Sequence, residues 1–281
     1  MRPCRYPGQP VLIVGLPRCG TSYLASFLRA NGVNLGGDLS QAGYINPRGF
    51  FEERTIVNFH KRQLTASDRL GAQLPLLASS IRIRPDAAAE KAANSILDSL
   101  ARPGLWGWKD PRTLLFLDFW LELLPNAKLI VPIRHPLDNY WSYWKRIRVR
   151  PVLKPSIFFA AYARQTARLL EAAKSNVERV FVLDAGTAYR QPDVLRQELD
   201  SFFDFQSPPP AACPIFHKEE FSRLPLTERT CEIFTQWYPR AAGNFQELND
   251  MARFRFEPRP GSSRLDPIWA VMGAALARMV R

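Results

Sequence analysis

Short uninterrupted apolar runs alternate along this chain with longer segments whose apolar residues recur every three or four positions. Val11 to Gly15, Lys128 to Ile133 and Val180 to Leu183 are of the first kind, the pattern of parallel strands covered on both faces. Leu105 to Trp108, just after Pro103-Gly104, predicts a further short strand. Helices are predicted at Thr21 to Asn31, Glu52 to Leu64, Asp86 to Leu100, Thr113 to Leu124, Leu137 to Arg150, Ser156 to Asn176 and Pro192 to Phe203. In the helix from Ser156 the core candidates are Phe158, Phe159, Tyr162, Leu169 and Leu170. This alternation specifies a three-layer α/β fold, a central and mainly parallel sheet flanked by helices. Pro208-Pro209-Pro210 marks a break within what reads as one domain of residues 1–281. A core of about residues 10–205 then precedes a C-terminal helical extension of about 206–281, with helices at Leu226 to Tyr238 and Asp266 to Arg281.

With 281 residues, 46% of them hydrophobic, the chain can bury a substantial core. No apolar run reaches the length of a membrane span, and Met1 to Pro10 holds no apolar signal core. Cys4, Cys19, Cys213 and Cys231 are scattered without a Cys-x-x-Cys pair, so a reducing, cytoplasmic setting is predicted, with neither a disulfide framework nor a zinc site. A formal net charge of +12 favours anionic partners. Nucleic acid is disfavoured, because the basic residues are spread out and the densest run, Lys145 to Arg150, is short.

The chemistry starts where the first strand ends. Gly15-Leu16-Pro17-Arg18-Cys19-Gly20-Thr21-Ser22 brackets a loop with glycines and opens a helix whose free N–H groups and dipole favour an anion. A nucleoside triphosphatase loop places Lys directly after its second glycine; here Thr21 stands there, and Arg18 is the only cation in the loop. A second constellation, Arg134-His135-Pro136-Leu137-Asp138-Asn139-Tyr140-Trp141-Ser142, follows the strand from Lys128. Loops leaving the C-terminal ends of parallel strands face one crevice, so Arg134 and Ser142 can hold a second phosphate beside the first. The plainer alternative is an Arg capping a strand and a Ser facing solvent.

Together these segments resemble the two donor-binding signatures of sulfotransferases that use 3′-phosphoadenosine 5′-phosphosulfate. Asn46 to Glu52 and Trp106 to Arg112 are similar to elements of bacterial members related to the tyrosylprotein and carbohydrate enzymes. The likeness runs from Val11 to about Phe205; Asp184-Ala185-Gly186-Thr187 departs from it, where many members carry Tyr-Glu-Asp-Leu. The resemblance implies a P-loop-like fold and a soluble enzyme moving a sulfuryl group to a hydroxyl or amine, leaving adenosine 3′,5′-bisphosphate, with no metal required. It also implies that Pro17, Arg18, Cys19, Gly20, Thr21 and Ser22 hold the 5′-phosphosulfate and that Arg134 and Ser142 hold the 3′-phosphate. A glycan, a glycolipid, a peptide or a small molecule would serve as acceptor. The alternatives are a kinase with a degenerate phosphate loop and a nucleotide-binding module without turnover.

Transfer needs a base for the acceptor proton, and a carboxylate can serve. Glu52, which follows an aromatic pair, is the first candidate, with Glu53 and Asp38 behind it; the opposing reading makes Glu52 an ordinary acidic residue in a helix's first turn. Lys109 is the candidate donor to the transferring group, weighed against a Lys109–Asp110 surface pair. His60, beside Lys61 and Arg62, is assigned to solvent, and Trp141, Tyr143 and Trp144 to packing rather than to adenine.

Overall fold

A computed structural model describes residues 5–40, 49–146, 154–204 and 226–258. Its sheet holds four parallel strands in the order β2-β1-β3-β4, with β1 Gln9–Ile13, β2 Leu105–Lys109, β3 Lys128–Ile133 and β4 Val180–Asp184. Buried side chains alternate between its faces, as a pleat requires. Val11, Ile13, Leu105, Ile130, Phe181 and Leu183 join one apolar cluster, whereas Leu12, Val14, Trp106, Trp108, Leu129, Val131 and Val182 join the other.

The first cluster is closed by α1 Thr21–Ala30, α8 Ala185–Tyr189 and α9 Pro192–Phe203. The second, larger one is closed by α2 Arg54–Thr65, α3 Arg69–Gln73, α4 Ala87–Leu100, α5 Leu117–Leu123, α6 Pro136–Arg146, α7 Pro155–Ser175, α10 Glu228–Trp237 and α11 Pro239–Asp250. The architecture is therefore the expected helix–sheet–helix sandwich. All five core candidates on α7 are buried. No helix among the described residues is long and apolar enough to cross a membrane.

Local structure departs from the sequence reading in five places. The segment predicted as helix from Thr113 begins as a tight 3₁₀ stretch, Pro111–Phe116, because Asp110 caps it and Pro111 opens it. Helix α2 starts at Arg54 with Glu53 as its N-cap, so Glu52 lies ahead of the helix instead of in its first turn. Two short helices, α3 and α8, and the longer α11 have no counterpart in the sequence reading. In α8 the departing Asp184 has a structural use: its carboxylate accepts from the Thr187 amide and hydroxyl, both at 2.8 Å. The predicted helix at Asp266, the triple proline, His217 and the segment Asn46-Pro47-Arg48 lie outside the described residues, as does the basic run beyond Arg146.

Both margins of the sheet carry one extra bridge. Asn34 pairs with Trp106 beside β2, and Phe254, after α11, pairs with Leu183 beside β4. The second is reinforced by Asp184 N–H donating to Phe254 O at 2.7 Å and Arg253 N–H to Val182 O at 3.0 Å.

Candidate active site

The strands leave the sheet at one edge, and the chain changes winding direction there: β2 lies on one side of β1 and β3 on the other. Ligands of open parallel sheets sit at such a switch point. The loop after β1 occupies it. Gly20 has φ 90 and ends the loop in a left-handed turn, capping α1 with no side-chain hydrogen bond to its amides. A β-carbon on Gly15 would sit 3.0 Å from Pro132 O and 3.3 Å from Thr21 Cγ2, so any side chain there would push loop, β3 and helix apart by a few tenths of an ångström. Arg18 is itself left-handed, with φ 70, a strained backbone for a residue with a side chain.

That loop is latched to the second constellation by side-chain hydrogen bonds. Arg18 Nε donates to Ser142 Oγ at 3.2 Å, Arg134 Nη1 to Arg18 O at 3.3 Å, and Asn139 Nδ2 to Pro17 O at 3.1 Å. Arg134, Asn139 and Ser142 are all buried, each with less than a tenth of its surface exposed. The structure thus brings together both predicted anion motifs, and adds Asn139, which sequence reasoning passed over. Asn139 Nδ2 also lies 2.9 Å from Cys19 Sγ. Burial pushes the Cys19 thiol up to about 12, despite the arginines nearby, so Cys19 stays neutral and fills space under the loop.

On the β2 side the predicted catalytic pair is in contact. Lys109, at the end of β2 and 2% exposed, donates to Glu52 Oε1 at 2.7 Å and to Phe50 O at 2.9 Å. Ser22 Oγ reaches the same Phe50 carbonyl at 3.5 Å, joining this half to the phosphate loop. The segment carrying Glu52 is folded against residues 38–40: Ser40 N–H donates to Glu52 O at 2.7 Å, and Leu39 bridges Glu53. Phe51 pays for this bend with a left-handed backbone, φ 53.

The other two carboxylates point elsewhere. Glu53, 2% exposed, accepts from Asp38 N–H at 3.1 Å and Thr55 Oγ1 at 3.2 Å. Asp38 forms an exposed ion pair with Arg54. Neither contacts Lys109.

Directly after Lys109 the chain enters a buried polar cluster. Asp110 Oδ1 accepts from the Arg112 amide at 3.0 Å and from Arg112 Nη1 at 2.9 Å, while Oδ2 faces His60 Nδ1 at 2.8 Å. Burial would raise the Asp110 pKa, but the Arg112 guanidinium and the His60 and Arg112 hydrogen bonds outweigh it and hold the carboxyl well below its usual range. Contrary to the sequence reading, His60 is wholly buried rather than solvated. Its Nε2 accepts from Trp120 Nε1 at 2.8 Å, which places the ring proton on Nδ1, and burial lowers its pKa. The missed signal is positional: His60 lies four residues after Ile56 and four before Leu64, on the buried stripe of α2.

The turn at Arg134 is covered from behind by the C-terminal helices. His135 is buried against Phe234, Phe245 and Phe256, with ring centroids 5.1 to 5.6 Å away. Tyr143 packs edge-on against Phe158, and Tyr140 against Phe158 as well, so these aromatics serve the α6–α7 contact.

Comparison with known proteins agrees with this geometry. The model of the Sulfotransferase family matches residues 10–183, well over half of the chain. Among solved structures, a sulfotransferase from Alicyclobacillus acidocaldarius superposes with a TM-score of 0.52 at 16% identity, covering 88% of this chain and 97% of that one. The sulfotransferase domain from the curacin biosynthetic pathway gives 0.47 at 18% identity, with 96% and 98% covered, and STF9 from Mycobacterium avium 0.45 at 14%, with 90% and 79% covered. The first of these supports the P-loop-like fold; the other two fall too low to add to it. No curated protein sequence matches the chain. On the family match, and with a fold to suit it, the chain belongs to the sulfotransferase family.

Proposed function

We propose that this enzyme transfers a sulfuryl group from 3′-phosphoadenosine 5′-phosphosulfate to a hydroxyl or amine, without a metal ion. The observation that carries the reading is the Arg18 Nε–Ser142 Oγ contact of 3.2 Å, which puts the loop suited to a 5′-phosphosulfate against the turn suited to a 3′-phosphate. A donor phosphorylated at both ends calls for two neighbouring anion sites, here the partly exposed Arg18 with the start of α1 and the buried Arg134 with Ser142. Gly20, the N-cap of α1, has no side chain to cap the helix's first amides, which suits an anion there.

In this reading Arg18 and the loop amides hold the 5′-phosphate while the sulfur–oxygen bond to it breaks and that oxygen keeps the electron pair. Glu52 takes the proton from the attacking acceptor atom as the new bond to sulfur forms in line. Lys109 steadies the oxygens around sulfur, exchanging its Glu52 and Phe50 contacts for them. The contact of Lys109 with Glu52, and the other bonds made by Glu53 and Asp38, support Glu52 as the base.

Isothermal calorimetry with adenosine 3′,5′-bisphosphate tests the donor reading. Binding that is equally tight with magnesium and with EDTA is expected; no affinity for the bisphosphate alongside magnesium-dependent ATP binding would overturn it.

A further inference from the structure

One buried titratable cluster has no direct part in that transfer: His60, Asp110 and Arg112, with Trp120 behind them. Keeping a polar ring at a core position of α2 is costly unless both nitrogens are satisfied, and here they are. Phe116 stacks on the imidazole with centroids 4.6 Å apart, so the ring has one orientation. The residue it grips is the neighbour of Lys109. Of the three donors to Asp110, Arg112 supplies two from within the same turn; only His60 reaches in from another element.

That element is α2, which follows directly from Glu52. The same two segments are thus tied twice. Glu52–Lys109 is the tie at the cleft, and His60–Asp110 is a second tie in the core. When a ligand draws the Lys109 ammonium away from Glu52, the buried tie remains to keep the two segments in place.

We propose that His60 is a positioning residue, which acts through Asp110 to set the spacing between the Lys109 ammonium and the Glu52 carboxylate. This rests on the catalytic reading of Glu52 and Lys109 given above.

The test compares variants of the full chain by two readouts. One is release of adenosine 3′,5′-bisphosphate from 3′-phosphoadenosine 5′-phosphosulfate with 4-nitrophenol as acceptor. The other is the ammonium resonance of Lys109 in protein labelled with ¹⁵N-lysine, assigned by its loss in Lys109→Arg. His60→Phe fills the ring's volume without an N–H; it is expected to lower kcat by about tenfold or more, to leave the donor KM within about twofold, and to displace the Lys109 resonance. His60→Asn leaves a cavity but keeps an N–H toward Asp110, so it should melt lower than His60→Phe and yet turn over faster. Turnover that instead follows melting temperature across the series, or a Lys109 resonance unmoved in His60→Phe, overturns the proposal. If His60→Phe does not accumulate, His60→Leu against His60→Asn makes the same comparison at smaller volume. Lys109→Ala separates the two ideas: wild-type release of bisphosphate there removes the catalytic reading itself, whereas an inert Lys109→Ala beside a fully active His60→Phe removes only the positioning role.

Discussion

The two flanks of the phosphate loop are built in opposite ways. Toward β3, Arg134, Asn139 and Ser142 reach across to the loop and bond its Arg18 and Pro17 carbonyls as well as the Arg18 and Cys19 side chains, so that the helix following β3 and the loop following β1 form one clasp. Toward β2, the Phe50 carbonyl takes Lys109 and Ser22, but the shortest contact is an ion pair, Lys109 with Glu52, supported from beneath by the His60–Asp110 tie. A clasp made to carbonyls fixes shape; an ion pair at a cleft can exchange partners when ligand arrives. On the proposed function, holding falls to the β3 flank and chemistry to the β2 flank.

Separating affinity from turnover breaks or sharpens that division. Glu52→Gln should lower kcat by about 10²-fold or more with bisphosphate affinity nearly unchanged, as expected for a lost general base; a large loss of affinity in calorimetry would erase the distinction between the flanks. Asp110→Asn removes the partner of a buried guanidinium, and should cost roughly 3 kcal/mol of stability in urea unfolding, with no comparable effect from any substitution of the exposed Asp38. On the other flank Arg134→Ala should weaken bisphosphate binding by about 10- to 100-fold, the worth of one or two charge-assisted hydrogen bonds, while kcat at saturating donor changes little.

The smallest expected effect is on pH. His60 is held neutral, with its folded pKa below the unfolded value near 6.5, so protons bind the unfolded chain first and stability falls as pH drops below about 6.5. Asp110, whose folded pKa is also depressed, contributes stability above its usual carboxylate range and loses it only at much lower pH. Melting temperature measured from pH 7.5 to 5.5 should therefore decline in the wild type and stay flatter in His60→Phe; equal slopes would mean that His60 is not held neutral in the fold.

The same contrast explains what could be read from sequence. The β3 flank was legible because its parts are local: a glycine-bracketed loop at a strand end, and an arginine with a serine eight residues on. The β2 flank was legible only in its end points, Glu52 and Lys109. Whether a glutamate belongs to a helix's first turn or to the bend before it depends on which residue caps; Glu53 takes that place, with its carboxylate turned to the Asp38 amide instead of the helix. His60 was misassigned because its charged neighbours Lys61 and Arg62 outweighed its place on the Ile56–Leu64 stripe. Asn139 gave no signal, since its partners are a carbonyl and a thiol more than a hundred positions away. Helix α11 was overlooked because Pro239 reads equally as the end of one helix or the first turn of the next, and here it is the latter.

The four strands of the described residues leave two rows of backbone groups at the sheet's margins, each a template on which a strand of another molecule can grow. Asn34 shields one row, its amide and carbonyl bonding Leu105 and Gly107, and residues 253 and 254 shield the other. Chains cut short before Arg253 would uncover β4 and gain a tendency to associate side by side, whatever became of their chemistry.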